Sequence, residues 1–161
     1  MEYPWIVEAK KHIGLKEIPG VKHNSTIIGW LKKLKSWYLD DDAPWCAVYV
    51  SNCFKVCGLS IPAYWMRAKA YTDWGVKLDK PISGCVVVFE RKGGGHVGFL
   101  MGKTSDGFLS VLGGNQGNAV TIAKFDTQRV VGYYWPKEVP VPQDAKLDIV
   151  SNAGVVSTNE A

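Results

Sequence analysis

Residues 85–102 read CVVVFERKGGGHVGFLMG, and this stretch decides the fold. Two short runs, CVVVFE (85–90) and HVGFLMG (96–102), are rich in β-branched and aromatic residues and flank a glycine run at 93–95. That is the pattern of two strands joined by a turn. Three more such runs follow: GFLSVLG (107–113), AVTIAKF (119–125) and VVGYYW (130–135). The turn signals SDG (105–107) and NQGN (115–118) separate them. About five short strands in succession predict an antiparallel meander.

Upstream, the hydrophobic period becomes helical. Trp5, Ile6, Ala9 and Ile13 predict a helix over 4–13, stopped at Gly14. Beyond a loop containing Pro19 and Gly20, Ile27, Ile28, Leu31 and Leu34 form the stripe of a second helix, from about Ser25 to Trp37. The segment AVYVSNCFKVCG (47–58) predicts a third helix, with Ala47, Val50, Cys53, Phe54 and Cys57 on one face and Gly58 as its stop. Asp42 and Pro44 mark its start. A shorter helix is expected around Met66 to Trp74, closing at Gly75. Helices first and a meander afterwards define an α+β domain, with N-terminal helices packed on a C-terminal antiparallel sheet of about five strands. After Pro136 the chain turns Pro-, Asp- and Asn-rich, so the expected division is one domain over 1–138 and a flexible tail over 139–161.

With 161 residues, 47% apolar and 12% aromatic, the chain can bury a core without disulfides or metal. The net charge of +4 is mild, and its densest run, Lys32, Lys33 and Lys35, reads as a solvated helix face. No concentrated basic stripe points to nucleic acid. The start, MEYPWIVEAKKHIG, lacks a basic region followed by an apolar stretch, and no run of 18 apolar residues occurs. The expectation is a soluble product made in the cytoplasm without a signal peptide, with no membrane insertion and a monomeric state. Any action outside the cell would need another component, a holin or a secretion system, to release it.

Four cysteines stand at 46, 53, 57 and 85. Without a visible signal they do not read as a disulfide scaffold. Cys46 falls in the first turn of the third helix, where unpaired N–H groups and the helix dipole favour an anion, so a lowered thiol pKa is expected. A small buried residue is the other reading of that position. Cys53 and Cys57 lie further along the apolar face and read as core, as does Cys85. His96 opens a strand after glycines and can face a cleft, whereas His12 and His23 lack such a context. A thiol and an imidazole together form a base-activated nucleophile. A third group is then needed to hold the imidazole tautomer. If 96–102 and 107–113 pair as a hairpin, residues just beyond 113 return beside His96. Asn115 is the first candidate and Gln116 the reserve; a simple turn residue is the other reading of Asn115. Asp41, Asp42 and Trp45 flank Cys46. Asp42, Trp45 and Gln116 are the candidate substrate contacts, although capping and packing explain the first two equally well. No H-E-x-x-H or comparable cluster occurs, so neither metal nor cofactor is expected. Nor does any carboxylate pair stand out for glycoside hydrolysis.

The segment PWCAVYVSNCF (44–54) resembles the nucleophile helix of the NlpC-like and CHAP families of peptidoglycan hydrolases. The resemblance continues through MRAKAYTDWG (66–75), GGGHVGFLMG (93–102), LGGNQGNAVTIAKF (112–125) and VVGYYWP (130–136), in the order Cys, His, polar third residue. It covers about residues 1–136 and is similar above all to the subgroup found in phage lysins and prophage regions. It implies a papain-like fold, Cys46 as nucleophile, His96 as general base and acid, and Asn115 as orienter. It also implies bacterial peptidoglycan as partner. The implied activity is that of an N-acetylmuramoyl-L-alanine amidase or peptidoglycan endopeptidase, in a phage endolysin. Many CHAP members carry an acidic residue near the third position, where this chain has Gly113 and Gly114. The alternatives are a secreted antibacterial amidase, a cysteine protease or deamidase acting on proteins, and a non-catalytic wall-binding module. The intact Cys46, His96 and Asn115 set argues against the last.

Overall fold

The five β-rich runs form five consecutive strands of one sheet in a computed structural model that describes residues 2–18, 24–34, 45–151 and 156–157. They are β2 (Val86–Arg91), β3 (Gly94–Thr104), β4 (Leu109–Gly113), β5 (Thr121–Phe125) and β6 (Val130–Trp135). Two short strands that periodicity could not reveal complete the sheet: β1 (Val76–Leu78) and β7 (Ile149–Val150). The order is β1-β6-β2-β3-β4-β5, all antiparallel, and β7 adds parallel to Lys103–Thr104 of β3. Strands of three and two residues fall below the length at which alternation can be seen. β7 lies within the segment from 139 onward for which a tail was expected.

Three helices precede the sheet: α1 (Pro4–Lys10), α2 (Ser25–Lys33) and α3 (Cys46–Val56). The α1 stripe ends one turn earlier than its spacing predicts. The chain passes into a turn at Lys11, Gly14 takes a φ of 96°, and Ile13 is left 48% exposed. On α2, Ile27, Leu31 and Leu34 are buried as expected, and Trp30 joins them. Asn24 caps this helix by accepting from the N–H groups of Thr26 and Ile27. The expected stretch from Lys35 to Trp37, the loop residues Pro19 and Gly20, His23, and the start signals Asp42 and Pro44 lie outside the described residues.

The central helix is α3. Every residue from Cys46 to Phe54 is buried, because α1 and α2 cover one side and β3 the other. Phe99 of β3 meets Phe54 and Tyr49 at ring-centroid distances of 5.6 and 6.3 Å. The Tyr49 hydroxyl donates to the Ala9 carbonyl (2.7 Å), and the Trp5 indole donates to the Gly84 carbonyl (2.8 Å), so the polar ends of these rings stay satisfied. The helix expected over 66–74 is a shorter 3₁₀ segment, Ala68–Asp73. Gly75 ends it with φ 67°, and a Cβ there would collide with the Trp135 carbonyl. Tight 3₁₀ turns of this kind share the local spacing of an α-helix and are not told apart by pattern.

Cys53 and Cys85 are fully buried, and Cys57, at the end of α3, is half-buried. Cys53→Ala should therefore lower stability by roughly 1–2 kcal/mol, through lost contacts and a small cavity. Thermal unfolding and a turnover assay on the same sample check this. Loss of activity in a fully folded Cys53→Ala protein would contradict the assignment of Cys53 to the core.

Candidate active site

Cys46 is the first residue of α3, and its neighbour Trp45 is the N-cap. Hydrogen bonding within the helix starts at the Tyr49 N–H, which donates to the Trp45 carbonyl (3.0 Å). The earlier N–H groups of the turn are thereby left to other acceptors. Those of Cys46 and Ala47 act on the Cys46 sulfur, as does the main-chain N–H of Val97, the residue after His96.

The β3 ladder explains why Val97 is available. The Leu100 N–H donates to Cys85 on the β2 side, so the N–H groups of odd-numbered residues in this part of β3 turn toward β4. Pairing with β4 begins only at Phe99–Leu112. Val97 therefore offers its N–H at an edge that β4 leaves open, and α3 delivers the Cys46 thiol there.

The lowered thiol pKa expected from the helix terminus is not what the folded environment gives. Burial pushes the Cys46 thiol up, and the surrounding N–H groups and the positive charge of Arg91 only partly offset this. Cys46 is 4% exposed, so the loss of hydration outweighs one helix end. Burial therefore favours the neutral thiol over the thiolate.

His96 is fully buried on β3. Directly paired residues of an antiparallel ladder project from the same face. His96 pairs with Phe89, and the two rings lie 6.3 Å apart. Phe125 of β5 stacks on the imidazole at 5.2 Å and 7°, so two aromatic rings fix the plane of the histidine. Its Nε2 lies 3.0 Å from Gln116 Oε1. The Gln116 amide nitrogen donates to the carbonyls of Val111 (3.2 Å) and Thr121 (2.9 Å), and this fixes the orientation of the amide. The oxygen must then face the imidazole and accept from it. In the neutral ring the proton sits on Nε2, and Nδ1 is the basic nitrogen.

Gly113 and Gly114 now have a physical reason. Gly113 lies on the same face as His96, where a Cβ would overlap Gln116 Oε1 and come within 3.4 Å of His96 Nε2. Gly114 points to the other side, where a Cβ would sit 2.8 Å from Trp45 and Tyr49. One glycine makes room for the His96–Gln116 pair and the other lets the start of α3 approach. The turn carrying Gln116 is clamped from outside: Gly14 and Glu17 donate to Val120 and Asn118, and Val120 donates to Leu15. Gly113→Ala should displace the flexible Gln116 side chain without unfolding the sheet. Turnover should fall about tenfold or more, with the melting temperature nearly unchanged. Full activity in this variant would mean that the His96–Gln116 contact is dispensable.

Of the residues singled out in the sequence, His96 and Gln116 meet directly, and Cys46 reaches the main-chain N–H of Val97, the residue after His96. Asn115 is buried in the same turn with φ 58°, a left-handed conformation that asparagine tolerates. The side chain that meets the imidazole is that of Gln116. Trp45 is corrected from substrate contact to packing residue: it is 1% exposed, and its indole donates to Glu17 (3.1 Å). Asp42 lies outside the described residues. His12 is held by Glu8 (3.0 Å) and packs edge-on against the Trp30 ring. Arg91, whose charge acts on the Cys46 thiol, has no sequence signal, because a strand-end arginine carries no pattern of its own. Among the described residues no cluster of three or more His, Cys, Asp or Glu could hold a metal ion. No helix among them is long and apolar enough to cross a membrane.

Helices packed on an antiparallel sheet, with a cysteine opening the central helix and a histidine near the start of the strand it packs on, define a papain-like domain. Residues 38–115 match the CHAP domain, and this span contains Cys46, His96 and Asn115. CHAP domains are typically peptidoglycan hydrolases, acting as amidases or endopeptidases. No curated protein matches the chain.

Proposed function

We propose that this chain cleaves an amide bond in the peptide part of peptidoglycan through a Cys46 thioester, with His96 as base and acid and Gln116 as its orienter. The His96–Gln116 hydrogen bond carries the reading, because it leaves Nδ1 basic in a ring that flanks the thiol's own strand contact. His96 takes the Cys46 proton, and the sulfur attacks the amide carbonyl. The oxyanion draws on the N–H groups of the first α3 turn, which no carbonyl of the helix engages. His96 then passes its proton to the departing amine, and water, deprotonated by the same imidazole, hydrolyses the thioester. The catalytic unit on this reading is 1–138. β7 pairs at the opposite end of β3 from His96 and adds nothing to the site.

The chemistry suits a phage endolysin that reaches the wall after release, and equally a secreted amidase. The test is incubation with purified peptidoglycan, with fragments identified by mass spectrometry. New amino termini or free lactyl groups, absent with Cys46→Ala, would support the reading and name the bond. Intact sacculi, with the protein folded, would overturn it.

A further inference from the structure

Arg91 ends β2, and its cross-strand partner is Gly94. Two residues back on the same strand stands Phe89, the partner of His96. The two-residue period of a strand therefore places Arg91 on the His96 face of the sheet. Gly94 has no side chain, so the guanidinium settles over it, with Nη2 at 3.8 Å from where a Cβ would be. The Arg91 Nε–H donates to the carbonyl of Gly95 (3.0 Å), the residue before His96. That bond uses one of five donors and holds the planar fork on the His96 face of the sheet.

The neighbouring cation is arranged differently. Lys69 lies over Gly95 on the other face of the sheet and pairs with Glu90 at 2.5 Å. Among the described residues no carboxylate pairs with Arg91, although it is half-buried. A partly desolvated guanidinium, held at its Nε and open at its Nη groups, is suited to a bidentate carboxylate. Its charge also reaches the nucleophile and draws the Cys46 thiol downward.

We infer that Arg91 is a carboxylate anchor of the active site, binding an acidic group of the substrate next to the scissile amide. On the proposed wall-hydrolase reading, on which this rests, the substrate is a stem peptide whose glutamyl carboxylate is free rather than amidated. Arg91 would then select between these two states of the wall.

Two arms test this, and the first needs no wall substrate. Iodoacetate and iodoacetamide alkylate the same thiol and differ in a carboxylate, and their rates at Cys46 can be read peptide by peptide by mass spectrometry. The native protein should favour iodoacetate over iodoacetamide more than Arg91→Gln does, by about tenfold. Loss of the charge should slow iodoacetamide as well, but less than iodoacetate, and Arg91→Lys should keep part of the preference. Equal slowing of both reagents would mean that Arg91 tunes the thiol and does not bind carboxylates, and unchanged rates would mean that it does neither. Either result overturns the inference. The second arm compares kcat/KM on stem peptides with a free or an amidated glutamyl carboxylate. Arg91→Gln should lose more activity on the free form than on the amidated form, and equal effects on both would overturn the inference. If the alkylation preference holds and neither stem is cut, the wall-hydrolase reading fails while the carboxylate anchor stands.

Discussion

Cys46→Ala should remove turnover, by at least about a thousandfold, and leave the fold in place. On the proposed mechanism the loss is large, because the acyl intermediate forms on the Cys46 sulfur and residual catalysis would have to come from bound water and the oxyanion donors. The fold should survive because the Cys46 sulfur packs at the end of α3, where it meets N–H groups of its own turn and of Val97. The deeper contacts of the helix come from Tyr49, Val50, Cys53 and Phe54. Far-ultraviolet circular dichroism and a melting curve, run beside the peptidoglycan assay, decide the matter. A folded Cys46→Ala protein that still cut the wall would remove Cys46 from the mechanism.

Gln116→Leu is the second large effect, and it separates tautomer control from packing. Leucine nearly matches glutamine in volume but cannot accept from His96 Nε2. The imidazole would lose the hydrogen bond that keeps its proton on Nε2, and Nδ1 would no longer be reliably basic. Where an orienting group is neutralised in place, turnover falls by up to about 10⁴; a neutral orienter such as Gln116 should cost about 10²–10³. The variant also deprives the Val111 and Thr121 carbonyls of a donor, which costs roughly 1–3 kcal/mol of stability. Gln116→Glu provides the contrast. It keeps an acceptor toward His96, so it should retain more activity than Gln116→Leu while sharing the two orphaned carbonyls. Kinetics and melting curves of both variants check this. Equal activity losses in both would assign Gln116 a packing role only.

The sequence-level expectations divide along a physical line. The five longer strands carry six to eleven or five residues each, enough for composition and turn residues to show. β1 and β7 owe their existence to neighbours: β1 is an edge added to β6, and β7 lies along β3 after a long return. Nothing local in VKL or IV demands a strand. Ile13 has the spacing of a core residue yet is exposed, because the helix ends before its turn arrives. Trp45 reads as a cleft residue from its place beside Cys46, but its ring is buried toward Trp30 and Gly114. The thiol illustrates the same division. A helix start favours the thiolate, and that much is local, whereas the burial that outweighs it is assembled from distant segments.

Periodicity and turn residues were enough to determine an α+β domain, and a cysteine at a helix start and a histidine after a glycine run were enough to single out Cys46 and His96 as candidates. These features act over a few residues, so they are written in the order of the chain. Which side chain reaches the imidazole, which glycine makes room for it and which cation shares its face were decided only by tertiary structure. Gln116, Gly113 and Arg91 stand 20, 17 and 5 positions from His96. They meet because strand register, and not sequence spacing, sets which side chains share one face of a sheet.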